Sequence, residues 1–100
     1  MAMYARISTF DGSTARFEEA AEFIREFVIP ASRQVPGFAG MISLVDRGSG
    51  RSMGITLWTS REAMDDSEPG AILIRERVTS SGEARLVSLD SYEVADLTLV

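Results

Sequence analysis

The chain lacks the two side chains on which most acid–base, nucleophilic and metal chemistry in proteins depends. Its 100 residues include no cysteine and no histidine. The absence of cysteine excludes disulfides, thiolate catalysis and thiolate metal sites. The absence of histidine removes the commonest general base and the commonest ligand for zinc or haem iron. Asp, Glu and Tyr remain for proton transfer, and we predict that the protein uses no cofactor, binding neither zinc nor haem tightly.

Three arginines could stabilise negative charge on a bound molecule. Arg6 lies near the N-terminus, and Arg75 and Arg77 lie close together in the second half of the chain. A guanidinium beside a phenolate or enolate oxygen stabilises the charge that develops there. Arg6 and Arg75 are therefore candidate catalytic residues, and Arg77 is a candidate substrate-binding residue. All three also suit the ordinary role of a surface arginine, and the sequence leaves both interpretations open.

Aromatic residues could form a binding surface for a flat, apolar molecule. Trp58 could stack on such a ligand and donate a hydrogen bond from its indole N–H, so it is a candidate for both catalysis and binding. Thr56 lies two residues earlier, Phe23 and Phe27 could form an apolar wall, and Tyr92 could donate a hydrogen bond or a proton. Each residue also suits a purely structural role, as a core Trp, as core Phe residues at helical spacing or as a strand Tyr at a sheet edge.

Hydrophobic periodicity indicates the elements that position these residues. Period-two alternation predicts four strands, at residues 3–10, 38–46, 51–59 and 84–96. Apolar residues at spacings of three and four predict two helices, at residues 14–34 and 60–80.

Prolines and polar residues mark the ends of these elements. Pro30 is expected to kink the first helix or to begin a separate final turn, and Pro69 to divide the second helix into two pieces. Ser13 or Thr14 is predicted to cap the first helix, and Ser60 the second. The glycine-rich segment 47–50 predicts a hairpin turn between the second and third strands.

The order β-α-β-β-α-β predicts a single ferredoxin-like α+β domain over residues 1–100. Such a domain has an antiparallel four-stranded sheet, here with order 4-1-3-2, and both helices on one face. If Thr56 and Trp58 point toward the helices, Met53, Ile55 and Leu57 point away from them. A sheet that is apolar on both faces needs a cover on both. We therefore predict a homodimer that closes through the open face, with residues 97–100 as an arm across the partner.

Charge and hydropathy limit the remaining partners. The formal net charge of −5 at pH 7 gives no electrostatic attraction for nucleic acid. No apolar run approaches the roughly 18 residues that a membrane span requires. The N-terminal segment alternates and does not have the pattern of a secretory signal. We expect a cytoplasmic protein without nucleic-acid or membrane partners.

Short segments distributed along the chain resemble the antibiotic-biosynthesis-monooxygenase-like proteins, which are small dimeric α+β barrels. The matching segments are Pro36-Gly37-Phe38 with Gly40, Asp46-Arg47 with Gly50, Thr56 to Ser60, Glu62-Ala63-Met64 and Tyr92-Glu93-Val94. The resemblance implies that two sheets pack face to face and that each subunit keeps a pocket between its sheet and its helices. Some members oxidise electron-rich aromatic substrates with molecular oxygen and no cofactor, and others degrade haem.

The chain departs from this family at two positions that matter for chemistry. The cofactor-free oxygenases and the haem degraders use an Asn on the first strand, and the matching position here is about Arg6. The axial His of the haem degraders corresponds to Arg77, which cannot ligate iron, whereas Trp58 matches the pocket Trp of both branches. The missing axial His therefore argues against haem degradation, whereas the matching Trp58 leaves oxidation of an aromatic substrate as a possible activity.

Three functions are compatible with these residues. The first is a cofactor-independent monooxygenase acting on an aromatic or polyketide-like molecule, in which the pocket stabilises a substrate anion that itself reduces oxygen. The second is a non-catalytic dimer that binds a small aromatic ligand, and the third is a structural dimer whose pocket is filled by side chains. An enclosed space of ligand size beside Trp58, with a polar group inside it, would separate the first two from the third.

Overall fold

The computed structural model describes residues 2–14, 17–80 and 84–100 and shows one antiparallel sheet. Its four strands are β1 (Met3–Gly12), β2 (Phe38–Asp46), β3 (Arg51–Trp58) and β4 (Ala84–Val94). Their order across the sheet is β2-β3-β1-β4. Read from the other edge, this is the predicted order 4-1-3-2, and the ferredoxin-like α+β fold is confirmed.

The first helical segment is built from three pieces where periodicity predicted one helix. They are α1 (Phe17–Phe23), a π-helical turn (Ile24–Val28) and α2 (Ile29–Ser32). The Ile29 N–H donates to the Ile24 carbonyl, five residues back, as in a π-helix. Pro30 lies in the first turn of α2, where its missing N–H is tolerated. Of the two predicted alternatives, the structure shows a separate final turn, which begins at Ile29 with Pro30 next, and the π turn before it was not predicted. The predicted cap borders residues 15–16, which lie outside the described residues.

The second helical segment is divided as its proline predicts. It consists of α3 (Arg61–Asp66) and α4 (Glu68–Thr79), and Pro69 lies in the first turn of α4. Ser60 caps α3, because its Oγ accepts a hydrogen bond from the Ala63 N–H at 3.0 Å. The predicted end of this segment falls partly on residues 81–83, outside the described residues. Among those described, no helix is long and apolar enough to cross a membrane.

Two glycines are required where elements approach each other closely. Gly50 ends the hairpin turn with φ 80°, and a Cβ there would lie 2.1 Å from the Gly12 carbonyl oxygen. Gly37 has φ 84°, and a Cβ there would lie 2.4 Å from the Ala63 Cβ. Both backbone conformations are strained for other residues. Gly37 therefore allows the start of β2 to approach α3, next to the end of β3.

Strand register divides the sheet residues between two faces. Arg6 pairs with Thr56, and the neighbouring pair of Ala5 with Leu57 points the opposite way. Tyr92 pairs with Ala5 and so shares the face of Leu57. The helices cover the face that carries Arg6 and Thr56, as the cavity described below shows.

The other face carries apolar side chains that no helix or strand among the described residues covers. Ile42 and Leu44 of β2 alternate with the helix-facing Met41, and both are exposed, as is Tyr92. Leu57, near the end of β3, lies on the same face and is only 8% exposed. Residues 96–100 have no regular structure and are exposed. Their predicted role as an arm across a second subunit stays a prediction.

Candidate functional site

A cavity of about 450 Å³ lies between the sheet and the helices. On the sheet side it is lined by β1, β2 and β3. Most of its wall is aliphatic, and the helical segments contribute Ala20, Ile24, Val28, Ala71, Ile74 and Val78. The volume and the apolar wall are those of a typical small-molecule site. The pocket that the family resemblance implied is therefore present as open space between sheet and helices.

Only part of the apolar stripe of the first helical segment faces this cavity. Val28 lines the cavity and is 5% exposed, whereas Phe27 is 62% exposed and lies outside the lining. The lining residues Ile24, Val28 and Ala31 keep the spacings of three and four through the π turn. Phe27 packs instead on Phe23, with ring centroids 5.8 Å apart.

A partly buried ion-pair network contributes two arginines to the cavity wall. Arg6, on the central strand β1, is only 5% exposed, and its Nε lies 3.0 Å from Glu68 Oε2. Its Nη2 donates to the Met64 carbonyl at the end of α3. The other Glu68 oxygen accepts a hydrogen bond from Arg75 Nη2. Glu68, at the start of α4, therefore bridges two arginines that both line the cavity.

The environment of these arginines is poorly hydrated. Burial lowers the pKa of Arg6, and the negative charge of Asp65 opposes this shift. Burial also lowers the pKa of Arg75, and the nearby charge of Arg6 acts in the same direction. A guanidinium nevertheless stays charged at neutral pH. Two cations and one carboxylate thus meet at this end of the cavity, with one positive charge in excess.

Trp58 forms the aromatic part of the wall next to Arg6. The Arg6 Cζ lies 5.9 Å from the Trp58 ring centroid, within the range of a cation–π interaction. Phe38 packs edge-on against the indole, with ring centroids 5.5 Å apart. The indole N–H donates to Thr56 Oγ1 at 2.9 Å. Because Thr56 accepts this bond and the side chain is only 3% exposed, the indole is held as a packed part of the wall beside Arg6.

The structure brings together four of the candidate residues and separates four others. Lining the cavity are Arg6, Thr56, Trp58 and Arg75. Phe23 and Arg77 line an adjoining cavity of about 290 Å³, where the Arg77 Cζ lies 5.3 Å from the Phe23 ring centroid.

Two further candidates lie away from both cavities. Tyr92 is exposed on the opposite face of the sheet, because its position in β4 pairs with Ala5 rather than with Arg6. Phe27 is 62% exposed and lines neither cavity. Neither side chain therefore reaches the space beside Trp58 in this structure.

Glu68 is the residue of the site that sequence reasoning missed. It resembles any acidic residue in the first turn of a helix, where a carboxylate is favoured by the helix dipole. Its function as a bridge depends on Arg6, which is 62 residues earlier in the chain. The sequence shows Glu68 and Arg75 seven residues apart on one predicted helix, but only the fold shows that Arg6 also pairs with Glu68. Within the described residues, no group of three or more acidic side chains is arranged to hold a metal.

No protein-family model matches the chain. Two relatives are uncharacterized proteins of Mycobacterium tuberculosis strain H37Rv. Rv2558 is 32% identical over 90 residues, which cover 88% of this chain and 38% of the relative. Rv2557 is 33% identical over 75 residues, which cover 75% of this chain and 34% of the relative. The chain thus spans less than two-fifths of the length of these relatives.

Solved structures with a similar fold cover nearly the whole chain. The monooxygenase ActVA-Orf6 of Streptomyces coelicolor, solved with nanaomycin D, matches with a TM-score of 0.71 at 17% identity over 99% of this chain and 91% of its own. The haem degrader MhuD of Mycobacterium tuberculosis matches with a TM-score of 0.71 at 22% identity, over 95% of this chain and 98% of its own. SnoaB, a cofactor-independent oxygenase of Streptomyces nogalater, matches with a TM-score of 0.65 at 18% identity, covering 100% and 98%.

These likenesses agree with the strand order and with the position of the cavity between sheet and helices. At identities below 25% they bear on the fold rather than on the reaction. The chain therefore has the subunit fold of the antibiotic-biosynthesis-monooxygenase-like α+β barrel proteins, which confirms at the level of the fold the resemblance identified in its sequence.

Proposed function

We propose that the protein is a cofactor-independent monooxygenase that oxidises an electron-rich aromatic or polyketide-like molecule with molecular oxygen. The observation that carries this proposal is the apolar cavity of about 450 Å³ with the buried cation Arg6 beside the ring of Trp58. Similar folds in the monooxygenase ActVA-Orf6 and the cofactor-independent oxygenase SnoaB support it. A structural dimer with a filled pocket would not need this open space.

The proposed reaction converts a phenol that has a ring C–H para to its hydroxyl into a quinone. The phenol loses its proton to solvent, and the excess positive charge at Arg6 stabilises the phenolate. The phenolate transfers one electron to oxygen, and the resulting radicals combine at the para carbon to form a peroxide anion. This anion takes a proton from solvent and becomes a hydroperoxide. Loss of water, which takes the C–H proton and breaks the O–O bond, leaves a second carbonyl. One oxygen atom enters the quinone and the other leaves as water.

The chain contributes binding and electrostatics to this reaction. The mainly aliphatic wall surrounds the reacting ring with apolar groups, and Trp58 lies in that wall beside Arg6. Arg6 favours the anionic form of the substrate, which is the form that reduces oxygen. These groups supply what the reaction needs, because the electrons come from the substrate itself.

Oxygen consumption by the purified, metal-free protein tests the proposal. We expect a panel of naphthols and anthrones to include a compound that the protein converts with one O2 consumed per quinone formed. Arg6→Gln should lower the rate at least tenfold, because it removes the positive charge beside the substrate oxygen. Arg33→Gln, at an exposed position outside the cavity lining, is the matched control and should keep the full rate.

The same panel distinguishes the alternative function. Ligands that bind in the cavity without any oxygen uptake would show a non-catalytic binding protein. Failure of every aromatic compound to bind would contradict both functions. An equal rate in wild type and Arg6→Gln would contradict the role of Arg6.

We also infer that the active form is a homodimer in the cytoplasm. Support for the dimer comes from the exposed apolar residues Ile42, Leu44 and Tyr92 on the uncovered sheet face, since a contiguous apolar patch usually marks an interaction surface. Two such faces packed together would cover each other and would give each subunit a complete second layer.

A further inference from the structure

We propose that Glu68 sets the charge of the ligand that the cavity accepts. By bridging Arg6 and Arg75 it leaves one positive charge in excess, so the site selects a singly charged aromatic anion over a neutral or a doubly charged one. The inference rests on the proposed function only in placing the ligand in the same cavity. It concerns binding and does not depend on oxygen chemistry.

The geometry gives Glu68 two tasks at once. Its Oε2 lies 3.0 Å from Arg6 Nε, and its Oε1 accepts from Arg75 Nη2, so both carboxylate oxygens are engaged by cations. As the first residue of the 12-residue helix α4, it also lies at the positive end of the helix dipole, which stabilises its charge. The carboxylate therefore holds two guanidinium groups in fixed positions at the cavity wall.

Arg6 retains hydrogen-bonding capacity that this network does not use. A guanidinium has five N–H donors. Nε pairs with Glu68 and one Nη2 donor with the Met64 carbonyl, so three donors are not used by these two contacts. Arg6 lines the cavity, and its side chain is only 6% exposed. A ligand oxygen that accepts from this guanidinium would form a charge-assisted hydrogen bond in a poorly hydrated place, where such bonds are strong.

The charges around the site decide which ligand balances it. Arg6 and Arg75 contribute two positive charges, and Glu68 contributes one negative charge. Asp65 also acts on Arg6, but its side chain is largely exposed, and water screens it. A singly charged anion would bring the buried network to neutrality. A neutral ligand would leave one positive charge uncompensated, and a doubly charged ligand would leave one negative charge uncompensated.

A matched series of ligands tests this inference, because it varies charge on a nearly constant ring. Nitrobenzene, 4-nitrobenzoate and 4-nitrophthalate carry zero, one and two negative charges at pH 8. Calorimetry measures their affinities, and quenching of Trp58, the one tryptophan of the chain, reports binding beside the network. We expect wild type to bind 4-nitrobenzoate at least about tenfold more tightly than either of the other two ligands.

Charge variants should move this preference in opposite directions. Glu68→Gln raises the excess charge to two and should shift the affinity ratio at least about tenfold toward 4-nitrophthalate. Arg75→Gln lowers it to zero and should shift the ratio toward nitrobenzene. Glu68→Asp keeps the charge and should keep the wild-type preference, and Glu76→Gln, exposed on the same helix, should leave it unchanged. A merely structural role for Glu68 would lower all three affinities together.

The outcomes separate this inference from the proposed function. An unchanged preference in Glu68→Gln, or tightest binding of nitrobenzene by wild type, would overturn the inference whether or not the protein consumes oxygen. If Glu68→Gln does not fold, the shift in Arg75→Gln decides, and its absence would equally overturn the inference. If the nitroaromatic ligands show the expected preferences but no naphthol or anthrone causes oxygen uptake, the inference is supported and the proposed oxygenase is refuted.

Discussion

Replacing Trp58 by Phe tests how the aromatic wall of the cavity is held. The variant keeps a ring but loses the hydrogen bond from the indole N–H to Thr56 Oγ1, which is 2.9 Å long. A buried hydrogen bond contributes about 1 kcal/mol net. The smaller ring also leaves unfilled space next to Phe38 and should cost about 1 kcal/mol more. We expect Trp58→Phe to lower the free energy of unfolding by about 2 kcal/mol, or the melting temperature by roughly 8–16 °C.

A double-mutant cycle with Thr56→Val isolates the hydrogen bond from the loss of ring volume. Urea unfolding followed by far-ultraviolet circular dichroism suits all variants, because Trp58→Phe removes the tryptophan fluorescence. The coupling energy between the two substitutions should be about 1 kcal/mol. Glu76→Gln, exposed on α4, is the control and should change the stability by less than about 0.5 kcal/mol. Additive effects within about 0.3 kcal/mol would refute the bond and would leave the indole N–H available to a ligand.

Three further predictions concern assembly, pH and haem. Ile42→Asp should convert the dimer to a folded monomer in light scattering, because Ile42 is 39% exposed in the single chain. Leu57→Asp should instead unfold the protein, because Leu57 is only 8% exposed, and Glu18→Asp on the outer helix face should do neither. A monomeric wild type would contradict the dimer. The hydrogen bond from Arg51 lowers the pKa of Asp11, so this pair should stabilise the fold above about pH 4 and lose its effect as the pH falls through the lowered pKa. Asp11→Asn should therefore weaken the decrease in the free energy of unfolding as the pH falls below about 4, measured by urea unfolding at several pH values. An unchanged pH dependence would refute this. Mixing with haem should give no spectrum of ligated iron, because the chain lacks His and Cys; a stoichiometric ligated Soret band would contradict it.

Local sequence patterns were sufficient to predict the four strands, the division of the second helix and the two faces of β3. Alternation along β3 placed Thr56 and Trp58 together because side chains of a strand point to opposite faces in turn. Ser60 was recognisable as a cap, because a side-chain oxygen at that position satisfies an N–H group of the first helical turn. These features depend on interactions between residues a few positions apart, and a sequence shows such spacings directly.

The tertiary structure decided the composition of the site. Glu68 meets Arg6 across 62 residues, and no local pattern identifies which carboxylate reaches which guanidinium. Phe27 belongs to the predicted apolar stripe but is 62% exposed, because a helical pattern alone does not show which members of the stripe the sheet covers. The sequence by itself thus determined which residues share a strand face or a helix end, where hydrogen bonds and sterics act locally. Only packing of the helices on the sheet determined which charges are buried together, since desolvation and Coulomb energy depend on distances in space.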